Sequence, residues 1–165
     1  MVLDINAIQT QVKSILDTAN DTAASYDLSS NLTNRVKKVF AIDITDTPVQ
    51  NTLYPFIAIT TERGEAELTT IAKTQASGGR KVELKVHISA AIWMSQITDV
   101  AKDNAREEIY DLIANIEEVL RNNDTLNSTV KWHTPEAFEF QSAGIAGEQA
   151  HLRIGIFTFN AIVFY

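Results

Sequence analysis

The stretch KVELKVHISAAIW, Lys81–Trp93, alternates with a period of two. Val82, Leu84, Val86, Ile88, Ala90 and Ile92 are apolar, and Glu83, Lys85, His87, Ser89 and Ala91 fall between them. Successive side chains of a strand point to opposite sides of the sheet, so this pattern predicts a strand with one face on a core. Its other face is left for solvent or a partner. The run is longer than the usual strand of about five or six residues, so it is expected to project beyond its neighbours. A strand of this kind needs a sheet around it and something apolar over one side.

Both flanks supply them. After the strand the period becomes helical: from Thr98 to Asn122, Ala101, Ala105, Ile109, Leu112, Ile113, Ile116, Val119 and Leu120 form one stripe. Lys102, Asp103, Arg106, Glu107, Asp111, Glu117, Glu118 and Arg121 fall largely on the other side. Glu117 and Arg121 stand four apart in the favourable order, and Asn122 and Asn123 suit a left-handed helix end. Two more strands follow, one from Val130 to about Phe140 and one from His151 to Phe164, with the turn material SAGIAGEQ between them. Pro135 is expected to kink the first or split it in two.

On the amino-terminal side, YPFIAITTE reads as a strand through Phe56, Ile57 and Ile59. Pro55 cannot donate a ladder hydrogen bond and belongs at its start or on an edge. Val36 to Ile44 reads as an earlier strand, broken by Asp46, Thr47 and Pro48. Asp4 to about Asn20 reads as an amphipathic helix, with Ile5, Ile8, Val12, Ile15, Leu16 and Ala19 on one stripe and Asp4 at the positive end of its dipole. The polar stretch DTAASYDLSSNLTN reads as a loop anchored by Tyr26 and Leu28. Grouped strands interrupted by helices predict an α+β fold: a mostly antiparallel sheet flanked by helices.

At 165 residues, 45% of them apolar, the chain is expected to form a single domain spanning 1–165. It has no cysteine, which removes disulfides, thiolate metal sites and cysteine nucleophiles. MVLDINAIQTQVKSIL lacks the apolar run of a signal peptide, and no stretch approaches the roughly 18 consecutive apolar residues of a membrane helix. The net charge of −7 opposes general binding to nucleic acid.

Motifs for chemistry are missing. His87, His133 and His151 are far apart with no metal-ligand spacing. The carboxylate pairs Glu107–Glu108 and Glu117–Glu118 read as the solvated side of a helix. Ser77-Gly78-Gly79 is followed by neither GK[ST] nor a helix, and no serine sits in a G-x-S-x-G frame. No enzymatic activity, metal or cofactor is expected.

The remaining feature is ERGEAELTTIAKTQASGGR, Glu62–Arg80, between two predicted strands. Hairpin loops are usually about two to five residues, and loops beyond about 12–15 are commonly functional or disordered. The apolar pair Leu68 and Ile71 within a charged stretch suits a hairpin arm beyond the domain body; the alternative is a plain surface loop.

Taken together, the amino-terminal helix, YPFIAITTE, the long loop, KVELKVHISAAIW, DNAREEIYDLIANIEEVLRNN, the strand near Trp132 and HLRIGIFTFNAIVFY resemble the tail terminator proteins of long-tailed bacteriophages and related minor tail or tail-completion proteins. The resemblance covers nearly the whole chain and includes no catalytic signature. It implies a sheet flanked by helices and a non-enzymatic virion assembly protein without cofactors. Such a subunit forms a ring, typically a homohexamer, that caps the tail tube, stops its polymerisation and offers the head-joining surface. The implied partners are further copies of itself, the tail tube protein and a head-completion or neck protein. The implied location is the virion tail, assembled in the host bacterial cytoplasm. No membrane and no specific nucleic acid enter, though DNA passes through the ring.

On that reading the loop arm supplies an interface through Arg63, Glu65, Glu67, Leu68, Ile71, Lys73 and Arg80. The end of the long strand supplies another through Trp93 and Met94, beside Ala91, with Trp93 in the core as the alternative. The acidic balance suits a channel past which DNA slides. Two other readings stand beside it: another neck or tail-completion protein, or a small ligand-binding or enzymatic α+β domain whose site is assembled from scattered residues.

Overall fold

A computed structural model describes residues 4–20, 36–41, 53–67, 81–94, 99–144 and 151–164. The alternating stretch forms strand β3 (Lys81–Met94), and Val82, Leu84, Val86, Ile88 and Ala90 are fully buried along it. Helix α1 (Ile5–Ala19) precedes β1 (Lys38–Phe40) and β2 (Phe56–Glu67). Helix α2 (Asp99–Arg121), β4 (Trp132–Gly144) and β5 (His151–Phe164) follow β3. The strands make one five-stranded sheet in the order β1-β2-β3-β5-β4, parallel between β1 and β2 and antiparallel elsewhere. The fold is therefore α+β with a mostly antiparallel sheet, as the order of elements predicts.

One face of the sheet carries the core. Ile57 and Ile59 of β2, the even-numbered apolar residues of β3, and Phe157, Phe159 and Ala161 of β5 all point to it. Ile8, Val12 and Leu16 of α1 and Ile109, Ile113 and Ile116 of α2 cover them, so both helices lie on the same side. Gly155 of β5 lets α2 approach closely: a Cβ there would stand 2.5 Å from Ile113 Cγ1 and 3.1 Å from Ile109 Cγ1.

The helix ends are fixed locally. Asp4 caps α1, its Oδ1 accepting from the Ala7 amide at 3.0 Å, which satisfies one of the free donors of the first turn. At the far end of α2, the Asn122 and Asn123 side-chain amides donate to the Glu118 and Val119 carbonyls. The left-handed residues come later than expected, at Leu126, Asn127 and Ser128 rather than at either asparagine. Leu126 is buried there, and its packing holds the turn.

Three strand boundaries differ from the sequence reading. β1 starts at Lys38 rather than Val36 and has three residues, with the end of the expected strand outside the described residues. β2 does not stop where the polar stretch begins: Glu62 pairs with Lys85, Arg63 with Leu84, Ala66 with Val82 and Glu67 with Lys81, with a bulge between Arg63 and Ala66. Charged residues sit comfortably in a strand whose neighbour supplies the ladder, so polarity alone concealed the extension. β4 runs from Trp132 on to Gly144; Pro135 does not split it, and of the two expected effects the kink is the one seen, as a bulge between Pro135 and Ala137 on an edge strand.

Candidate functional site

The sheet face away from the helices is covered by no described helix. Its residues divide by position along the strands. At one end Phe56, Ala58 and Ala91 form a small buried cluster with Phe40, Tyr54 and Ile154 packed against it. Tyr54 lies 4.8 Å from the Phe56 ring and 5.6 Å from that of Trp93. Burial pushes the Tyr54 phenol above its ordinary pKa.

The other end of this face is polar. Lys85 Nζ donates to Glu136 Oε1 at 2.6 Å, joining the third strand to the edge strand across β5. That hydrogen bond, with the carboxylate's charge, raises the Lys85 pKa. His87 Nδ1 and Thr158 Oγ1 share a hydrogen bond of 2.9 Å, and Glu62 Oε2 stands 3.6 Å from His87 Nε2. Thr158 is buried beneath this pair. The carboxylate, imidazole and hydroxyl lie in a row across β2, β3 and β5. The arrangement links strands.

Between the end of α2 and the start of β4 a cleft of about 120 Å³ is lined by Glu117, Arg121, Asp124, His133, Pro135 and Phe157. His133 Nε2 donates to the Leu120 carbonyl at 2.9 Å, and its ring packs 4.9 Å from Phe159. Ordinary small-molecule sites measure roughly 300–1,000 Å³, so this cleft suits little beyond water. Among the described residues no three His, Asp or Glu side chains are grouped to hold a metal ion.

The two edges of the sheet are unlike. On the β4 side Tyr110 of α2, Phe138 and Phe140 are 46%, 50% and 44% exposed, the large apolar side chains most open to solvent among the described residues. Tyr110 and Phe140 meet edge-on at 4.4 Å, and Phe138 stacks on Phe157 at 5.1 Å. On the β1 side Lys37 and Lys38 are exposed and Val39 is buried. The Lys37 amide donates to the Pro55 carbonyl at 2.7 Å, tying this short edge to the residue before β2.

The residues expected to form interfaces are thus dispersed. Arg63, Glu65 and Glu67 lie in β2, beside β3, and not in a loop; Leu68, Ile71, Lys73 and Arg80 lie outside the described residues. Trp93 is half-buried on the helix-free face, whereas Met94 is buried and alternation turns it to the opposite face. Sequence reading missed Tyr110, Phe138 and Phe140. Phe138 and Phe140 alternate as core residues do, and no sequence signal places their strand at the edge of the sheet. No family model matches the chain, and no curated protein matches it either.

Proposed function

We propose that this chain is a non-enzymatic assembly subunit of a phage tail, a terminator that closes into a ring, typically a hexamer, on the end of the tail tube. The ring stops tube polymerisation and offers the head-completion or neck protein a surface. The reading rests on the resemblance of nearly the whole chain, and one observation supports it most: among the described residues no helix covers one face of the sheet, and its two outer strands are unlike. A ring subunit needs two different surfaces on opposite sides, and an open sheet has them. On the helix-free face Lys85 with Glu136 and His87 with Thr158 bond across strands, which suits a surface for docking.

The test uses purified protein and uncapped tail tubes with free tube subunits. Added protein is expected to appear as a ring at one tube end in electron micrographs and to halt lengthening. Tubes that keep growing, with bare ends, would sink the reading. Binding to the head-completion protein but not to tubes would move the chain to the neck.

A further inference from the structure

We propose that the Asn127–Ser128 step, in the turn between α2 and β4, is a site of spontaneous chemical modification, where the Asn127 side-chain amide is lost and aspartate or isoaspartate takes its place. The inference stands on local geometry and is independent of the assembly reading.

The reaction defines what the site must offer. The backbone nitrogen of Ser128 gives up its proton and attacks the Asn127 side-chain carbon Cγ. A new nitrogen–carbon bond closes a five-membered succinimide, the side-chain carbon–nitrogen bond breaks, and ammonia leaves. Water then opens the ring at either carbonyl, to aspartate or to an isoaspartate whose main chain runs through the side-chain carbon. Nothing is oxidised or reduced. Two groups must therefore be free to meet: the asparagine's own amide and the backbone N–H that follows it.

At the other asparagines among the described residues one of these is held. Asn104 and Asn115 lie inside α2, where the following N–H belongs to the helical ladder. Asn160 lies inside β5, which is bonded to a strand on either side. Asn6 is followed by Ala7, whose N–H donates to Asp4 Oδ1 at 3.0 Å. Asn20, Asn122 and Asn123 donate their side-chain amides to the carbonyls of Val36, Glu118 and Val119.

Asn127 carries neither restraint. It is exposed, and its side chain makes no hydrogen bond among the described residues. The Ser128 N–H reaches only Thr125 Oγ1, at 3.4 Å on an exposed surface, longer than an ordinary bond of this kind. The backbone adds to this freedom. Leu126, Asn127 and Ser128 have φ of 45°, 53° and 68°, a left-handed run that residues with a Cβ adopt unfavourably. Leaving that conformation releases strain. Buried Leu126, and the Val130 N–H on the Thr125 carbonyl at 3.1 Å, keep the base of the turn in place while its tip rearranges. The product adds a negative charge three residues from Asp124, and isoaspartate lengthens the connection from α2 to β4.

The experiment keeps the folded full chain in mildly alkaline buffer, which favours the deprotonated nitrogen, beside a sample in concentrated urea. Peptide mapping by mass spectrometry follows each asparagine and separates isoaspartate from aspartate. The readout is each site's folded rate divided by its rate in urea, which cancels the effect of the neighbouring side chain. Asn127 is expected to show a ratio at least about tenfold above those of Asn104, Asn115, Asn122, Asn123 and Asn160, because those sites must first break a helix, ladder or side-chain bond. A ratio at or below those of Asn122 and Asn123 would overturn the proposal. Asn127→Gln, which would need a six-membered ring, should stay unconverted at this position. Conversion there at the parent's rate would mean direct hydrolysis of the amide and would equally overturn it.

Discussion

Two residues show how little side-chain volume separates the observed packing from a worse one. At Gly155 a methyl group would push into Ile113 Cγ1, an atom next to the branch point that cannot swing away as a flexible tip can. Gly155→Ala is therefore expected to cost about 1–3 kcal/mol, the usual range for overpacking a core. Ile113→Ala opens that space, so chemical denaturation of the double variant should show a smaller loss than the two single losses added together. Tyr54 governs a different axis. Burial favours its neutral form, so its pKa is higher folded than unfolded. The stability it contributes is complete below about pH 10 and falls as pH rises through the folded value. Lys85, held charged by Glu136, acts in the same direction, but the pair is half-exposed and screened by solvent, so it adds little. Tyr54→Phe keeps the ring contacts and should flatten the alkaline decline in melting temperature; an unchanged decline would assign it elsewhere.

The elements divide into those a single sequence can announce and those only a neighbour defines. α1, α2 and β3 were legible because a period of 3.6 or of two persists over several turns or pleats, and burial follows those stripes residue by residue. The last five residues of β2 were not, because Arg63–Glu67 carries no alternation; its strand character comes from Lys81–Leu84 alongside. β1 is short and parallel to β2, and nothing in Lys38–Phe40 specifies the direction of its partner. The same limit hid the candidate surface. Phe138 and Phe140 alternate as core residues do, and only the sheet order shows that β4 is the last strand, with nothing beyond it among the described residues to bury them. The end of β2 sets where a deletion of the expected arm can start: at Leu68, because Ala66 and Glu67 are ladder positions. Replacing residues 68–79 by a short turn should leave the circular dichroism spectrum and cooperative melting intact. If the arm serves assembly, tube capping is lost; a shortened chain that caps tubes like the parent excludes that role.

At the scale of the whole molecule, the sheet is organised around a pair of strands remote from each other in the sequence. Lys81 pairs with Phe164 and Met94 with His151, so β3 and β5 enclose α2 and β4 between them. Closing so large a loop costs chain entropy before the ladder returns it, which slows folding relative to a meander of the same size. During synthesis β5 is the last described element to appear, and until then β3 waits with one long apolar side unpaired and β4 has no partner. A chain cut after residue 144 should accordingly fail to melt cooperatively and should bind a hydrophobic dye. A fragment that melts like the parent would show that the sheet can form without β5. The nascent chain is thus most prone to aggregate just before β5 arrives, the interval in which binding to a chaperone would protect it most.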